Sequence, residues 1–191
     1  MAYKIIVEPA EEPVTLAEAK VQCSVDGAEF DALLNGIIAA VRQRAEHETG
    51  RALVTQTREL VLDAFPRAFI LRGAPVQSLV SVKYLDADGA EQTLDPQDTL
   101  LDKDSEPGYL VPAYGKAWPE SYPVPNAVRV RYVCGYGGAA SVPSAIKTWM
   151  LLAINSLFEQ RGAFVTGAIT ATLPDRFWGS FLDRYRLYEY E

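Results

Sequence analysis

The nearest thing to a chemical signature in this 191-residue chain is Gly135-Tyr136-Gly137-Gly138-Ala139-Ala140, which follows an alternating apolar run and fits the pattern G-x-G-x-x-A. In a dinucleotide-binding unit such a turn lets the backbone approach a pyrophosphate and opens directly into a helix. Here Val142-Pro143 delays the helix, and Glu159, about where the ribose-binding acid should end a second strand, falls inside it. A plain strand-to-helix loop is expected. A small hydrolase or nucleotide-binding enzyme built on residues 135–138 is the alternative from another class, and loss of nucleotide binding in Gly137→Asp would favour it.

Asp102, Asp104 and Glu106 have the alternate spacing of a calcium loop, but Pro107 stands where that loop needs glycine, and no glutamate occupies its twelfth position. An acidic solvated loop is expected, and Asp86 and Asp88 are assigned to a hairpin turn. His47 is the only histidine, so neither a zinc site nor a Cys–His nucleophile pair assembles around it. Cys23 and Cys134 lie far apart without ligand-like spacing and read as reduced, partly buried thiols. There is no G-x-S-x-G and no P-loop. No catalytic, metal-ligating or cofactor-binding residue is nominated, and no cofactor is expected.

The elements that would carry any site follow from periodicity. Thr15-Leu16-Ala17-Glu18 reads as a capping box opening a short helix that ends near Val21 to Cys23. A second box, Asp26-Gly27-Ala28-Glu29, is expected to open a longer helix with Phe30, Leu33, Leu34, Ile37, Ile38 and Val41 as its apolar stripe, closed by Gly50. From Val54 the pattern alternates, with Leu60, Leu62 and Ala64 on one face and Glu59, Val61 and Asp63 on the other. Short strands are expected at 69–71 and 79–85, with 91–94 returning as a hairpin partner across Asp86-Ala87-Asp88-Gly89. Residues 95–125 read mostly as loop with short strands, and Val128, Val130, Tyr132 and Cys134 as the core face of a last strand. Pro143 suits a helix first turn, after which Ile146, Trp149, Met150, Ala153, Ile154, Leu157 and Phe158 share a face as far as Gly162. A final helix is expected from about Pro174. The fold class is therefore α+β: a helical core of about four helices with an antiparallel β insertion between helices 2 and 3. It is read as one domain over residues 1–191, with 1–53 and 142–191 as the helical core and 54–141 as the insertion.

Hydrophobic residues make up 49% of the chain and charged residues 23%, the balance of a globular protein with a real core. No apolar run approaches the roughly 18 residues of a membrane span. The opening MAYKIIVEPAEEP, which meets acidic residues and proline early, does not read as a secretory signal. A net charge of −7 argues against wrapping nucleic acid, which requires a concentrated basic surface, though a negative wall suits a channel that leaves DNA mobile. Aromatics gather late in the sequence. Phe177, Trp178, Phe181, Tyr185, Tyr188 and Tyr190 are interleaved with Arg176, Arg184 and Arg186, the residue types that anchor interfaces. Packing on the chain's own core competes with this reading for Phe177, Phe181 and Tyr185; docking on another chain is expected for Tyr188 and Tyr190.

Several segments, taken in order, resemble the head-tail connector (adaptor) proteins of long-tailed phages and gene transfer agents. They are Glu12-Pro13-Val14-Thr15-Leu16-Ala17-Glu18-Ala19-Lys20, then Glu46-His47-Glu48-Thr49-Gly50-Arg51-Ala52-Leu53 with Gln56-Thr57. Pro75-Val76-Gln77-Ser78-Leu79 with Val82-Lys83-Tyr84-Leu85-Asp86 follows, then Tyr114-Gly115-Lys116-Ala117-Trp118-Pro119, and last the run from Val128 through Gly137 into Val142-Pro143-Ser144-Ala145-Ile146-Lys147. The likeness covers residues 8–161. It implies a non-enzymatic virion subunit, assembled with its copies in the host bacterial cytoplasm into a dodecameric ring under the portal protein. The ring's far face meets a tail-completion or stopper protein, and double-stranded DNA passes through the lumen without sequence-specific binding. A membrane plays no part. Thr15, Glu18, Gly50 and Pro143 act in it as structural caps. Phe177, Trp178, Phe181, Arg184, Tyr185, Tyr188 and Tyr190 are the expected portal contact, which the resemblance itself does not reach. Another neck or tail-terminator-like protein is the alternative within the same particle.

Overall fold

The computed structural model describes residues 2–160 and 175–187, with the backbone alone for 175–178. The chain folds into two compact units, one of Met1–Ala10 and Val54–Tyr136, the other of Glu11–Leu53 and Gly137–Glu191. Among the described residues, four helices and two antiparallel sheets make it an α+β protein, with seven of the eight strands lying between the second and third helices.

The helical unit begins as its caps dictate. Helix α1 (Leu16–Cys23) has the full capping box: the Glu18 N–H donates to Thr15 Oγ1 at 3.2 Å, and the Thr15 N–H donates to Glu18 Oε2 at 2.7 Å. Helix α2 (Asp31–Thr49) starts later than its sequence suggests. The Asp26–Glu29 box does not form, Gly27 turns the chain at φ 91°, and Phe30 caps without a side-chain hydrogen bond. Phe30 instead packs edge-on against Phe158 with centroids 5.4 Å apart, so an apolar contact sets this helix start. Gly50 closes α2 at φ 71°, as expected. Helix α3 (Ser144–Glu159) begins one residue after Pro143, which serves as its N-cap with ψ 135°. Leu34, Ile38, Ala45, Ile146, Met150 and Ile154 are buried to within 1%. Each of the larger ones stabilises the unit by about 1.5–3 kcal/mol relative to exposure. Leu33 and Leu157, expected in the core, are 43% and 48% exposed. Helix α4 (Asp175–Asp183) brings Leu182 into full burial. Gly162 and Pro174, the expected stop and start around it, lie outside the described residues.

In the β unit the strands are β1 (Ala2–Val7), β2 (Gln56–Leu62), β3 (Phe69–Leu71), β4 (Val76–Leu85), β5 (Glu91–Thr93), β6 (Thr99–Asp102), β7 (Gly108–Pro112) and β8 (Val128–Cys134). One sheet runs β1-β2-β8-β4-β5 and a second β3-β7-β6, all neighbours antiparallel. Central β8 shows the predicted alternation, with Val128, Val130, Tyr132 and Cys134 fully buried. The β4–β5 hairpin turns at Asp86, whose Oδ1 accepts the N–H groups of Asp88 and Ala90 at 3.0 Å each. Two findings depart from the pattern. Apolar periodicity does not foresee β1, because an edge strand exposed on both faces leaves no alternation to read. On β2, Glu59, Leu60 and Val61 are all buried, so both faces of that strand are covered; Glu59 meets Arg131 across the ladder at 2.8 Å.

The capping box has a pH signature. Hydrogen bonds from the Thr15 backbone and then its hydroxyl hold the Glu18 carboxyl below its usual value of 4.5. A depressed folded pKa adds stability that is present above the unfolded value and is lost as the pH falls through the folded one. Below pH 4.5 the α1 cap therefore weakens, and Glu18→Gln is expected to flatten that stretch of the stability–pH curve. Urea midpoints taken at several pH values check this; an unchanged slope would mean the box contributes nothing.

Candidate functional site

The glycine-rich turn is built from backbone necessity. A Cβ on Gly135, at φ 118°, would stand 2.5 Å from the Val54 carbonyl oxygen. The Gly135 N–H donates to the Pro75 carbonyl at 2.9 Å, and its own carbonyl accepts from the Gln77 amide at 2.8 Å. Past Gly137 the chain makes a single 3-10 turn, Ala139–Ser141, before α3. The amide at the head of that turn, Ala139 N–H, donates to Glu11 Oε1 at 2.8 Å. A carboxylate of the chain itself thus sits where a pyrophosphate would need to bind, which is the arrangement of a connecting loop.

The acidic loop is self-contained too. Asp102 Oδ1 accepts from the N–H groups of Asp104 and Ser105 at 3.0 and 3.1 Å, and Oδ2 from the Ser105 hydroxyl at 2.6 Å. These bonds, that of the Ser105 hydroxyl first, lower the Asp102 pKa and make it a turn cap. Among the described residues no three His, Cys, Asp or Glu side chains gather as a metal set. His47 is exposed on α2, and both cysteines are free. Burial, with Glu159 second, raises the Cys23 thiol above its ordinary pKa, away from reactive thiolate character.

The segment Glu46-His47-Glu48-Thr49-Gly50-Arg51-Ala52-Leu53 holds the helical unit together. Arg42 and Glu46 are 4% and 7% exposed. The Arg42 Nε donates to Glu12 Oε2 at 2.8 Å, and its Nη1 lies 3.4 Å from Glu46 Oε2. The other oxygen of Glu46 accepts the Leu53 N–H at 2.9 Å, fixing the chain as it leaves α2. Thr49 Oγ1 donates to the Ala45 carbonyl at 2.7 Å and accepts the Arg51 N–H at 3.3 Å. The helical spacing of Arg42 and Glu46 with Ile38 and Ala45, all on one face, was the available signal for this cluster.

The same turn receives the late aromatic segment. Arg51 Nε donates to the Tyr185 carbonyl at 2.6 Å, and the Leu187 N–H donates to the Thr49 carbonyl at 2.9 Å. Arg186 reaches Glu48 at 3.6 Å and Asp183 at 3.5 Å, while Leu187 Cβ comes within 3.5 Å of where a Gly50 side chain would begin. Residues 185–187 therefore strap the end of α2. Of the nominated partner-contact residues, Phe181 and Tyr185 are half-buried and Arg184 is exposed. The side chains of Phe177 and Trp178, together with Tyr188 and Tyr190, lie outside the described residues. In the β unit, Trp118 stacks on Phe65 at 5.3 Å and 19° and meets Phe69 edge-on, a structural role, whereas Tyr114 at the tip of the preceding turn is fully exposed.

No protein-family model matches the chain, and no curated protein matches its sequence. Solved structures do. A chain in the neck of an empty gene transfer agent particle, computed with C6 symmetry, superposes with a TM-score of 0.81 at 20% identity, over 100% of this chain and 98% of that one. A chain from the virion of the native particle gives 0.81 at 22% identity over the same shares. A chain in the native neck computed with C12 symmetry gives 0.70 at 20%, again over 100% and 98%. The fold is therefore one found in gene transfer agent particles. Two of the three chains belong to the neck of such a particle.

The buried network predicts a contrast. Glu46→Ala strips a partner from buried Arg42 and an acceptor from Leu53, and is expected to lower stability by about 3 kcal/mol. Arg44→Ala, which loses an exposed pair with Glu48 and a guanidinium lying 6.0 Å from the Trp149 ring, should cost no more than about 1 kcal/mol. Urea unfolding of both variants measures this, and equal midpoints would remove the network from its central place.

Proposed function

We propose that the chain is a structural head-tail connector subunit of a phage-like particle, one copy in a ring under the portal that joins capsid to tail and lets DNA through. The observation that carries this reading is the end-to-end likeness to neck chains, which covers 100% of this chain and 98% of the compared one. The C6 and C12 symmetry of those necks supports a closed ring, dodecameric in the simplest case. The internal bonding of the glycine-rich turn and of the acidic loop fits a subunit whose work is contact, and the role calls for no cofactor. A net charge of −7 suits a wall that repels the duplex and keeps it moving. The subunit resides at the head-tail junction of the virion and is assembled in the bacterial cytoplasm. The whole chain serves as one connector subunit, a helical core with its β insertion.

For the portal contact, Phe177, Trp178, Phe181, Arg184, Tyr185, Tyr188 and Tyr190 are the proposed residues. Cutting the chain before Pro174 is a poor test of them, because it also removes buried Leu182 and the strap at 185–187. A stop after Leu187 keeps the strap and deletes Tyr188 and Tyr190. With the cognate portal ring, native mass spectrometry of the full chain should show matched rings. The shortened chain, or Arg184→Glu, should weaken portal binding by about tenfold, or ~1.4 kcal/mol. A full chain that ignores the portal and binds the tail tube would make this a tail-side protein instead.

A further inference from the structure

The two edges of the five-stranded sheet are unlike. Edge strand β5 has three polar residues, all exposed, with Glu91 paired to Lys83 at 2.8 Å. Short charged edges are how sheets avoid recruiting other chains. Edge strand β1 has six residues and exposes Ile5, Ile6 and Val7 at 43%, 41% and 56%. Only Lys4 and a register shift between Ile5 and Val7 blunt it. Because successive side chains point to opposite faces, β1 shows apolar surface on both.

Charge divides within the same unit. Residues 86–120 hold nine carboxylates against Lys103 and Lys116, a net of −7, while the rest of the β unit has seven basic and three acidic side chains, a net of +4. Lys4 and Arg72, whose guanidinium lies 5.0 Å from the Tyr3 ring, stand at the β1 edge with exposed Glu8 one residue past the strand, a net of +1. On the other side Asp88, Glu91 and Asp95 are exposed. Leu100 and Tyr114 add apolar surface there, at 58% and 105% exposure. The Tyr114 turn is tied to Asp98 by the Ala113 N–H at 2.9 Å and by Lys116 at 2.8 Å, so these residues form one patch.

We propose that the β1 edge of one copy of this chain docks on the acidic β5 side of a second copy, with Lys4 and Arg72 facing its carboxylates and Ile5, Ile6 and Val7 covering Leu100 and Tyr114. The inference rests on the ring reading above and deepens it: a ring contact is heterologous and needs two different, complementary patches on each subunit. Pairing β1 with β1 would set Lys4 near its own copy, so charge favours the head-to-tail contact.

The variants Ile6→Cys and Leu100→Cys, made in a Cys23→Ser background in which buried Cys134 is the one other thiol, test it by mild oxidation. Mixed, the two should cross-link as a hetero-pair; each alone should stay monomeric, and the doubly substituted chain should give a ladder. The yield should fall roughly fivefold as the Debye length shrinks from about 10 Å at 0.1 M salt to about 3 Å at 1 M. Lys4→Glu should lower it comparably, and Asp95→Lys in the partner should restore it. Thermal melts of each variant establish that it folds. A mixture that does not cross-link overturns the proposal, as does Ile6→Cys alone linking as well as the mixture. Portal binding by the same samples separates the two readings. Portal binding without the hetero-pair removes only the edge contact, and the hetero-pair without portal binding removes only the neck assignment.

Discussion

Placing Arg42 on the same face of α2 as Ile38 and Ala45 takes a permanent charge out of water, at a cost of several kcal/mol that must be offset locally. Glu12 and Glu46 supply the opposite charge, and Glu46 uses its second oxygen to hold the chain where it leaves the helix. One buried pair thereby determines three things: the rotation of α2, the position of the segment before α1, and the exit after Gly50. The strap at 185–187 rests on the same turn through Arg51 and Thr49.

The candidate chemical features share one explanation. Each has its hydrogen bonds answered from within: the turn at Ala139 by Glu11, the loop at Asp102 by Ser105, the hairpin at Asp86 by Gln92 and Ala90. Such carboxylates are structural acceptors, and their lowered pKa values at Asp86 and Asp102 record those bonds. What stays turned outward is a different set, which includes Ile5, Ile6 and Val7 of β1, Leu100, Tyr114 and Arg184.

Local signals in the sequence proved trustworthy where the physics is local. Thr15 with Glu18, Gly50, the Asp86 hairpin and the alternation on β8 each depend on neighbours a few residues away, and each is found as read. The start of α2 lies later than the polar box suggests, where half-buried Phe30 packs edge-on against Phe158, 128 residues on. Strand β1 exists because β2 pairs with it, and nothing in its own pattern announces that partner. Of the residues proposed for the portal contact, Arg184 is outward, whereas Tyr185 is engaged through its backbone, which no side-chain pattern encodes. The uneven charge was visible along the chain, and the strand order shows where much of its basic part lies: Arg58 on β2, Lys83 on β4, Arg129 and Arg131 on β8.

The order of segments has a consequence for how such a protein can evolve. Strand β1 belongs to the unit that resumes at Val54, and α1 and α2 belong to the unit that resumes at Gly137, so each unit interrupts the other. Neither can be lifted out as one continuous stretch of gene. A single recombination crossover anywhere between β1 and α3 splits at least one unit between two parental sequences, so its β1–β2 ladder or its α2–α3 core must tolerate mixed ancestry. Lineages of this fold should therefore exchange the whole coding sequence and diversify inside it by point substitution, with modular swapping confined to loops.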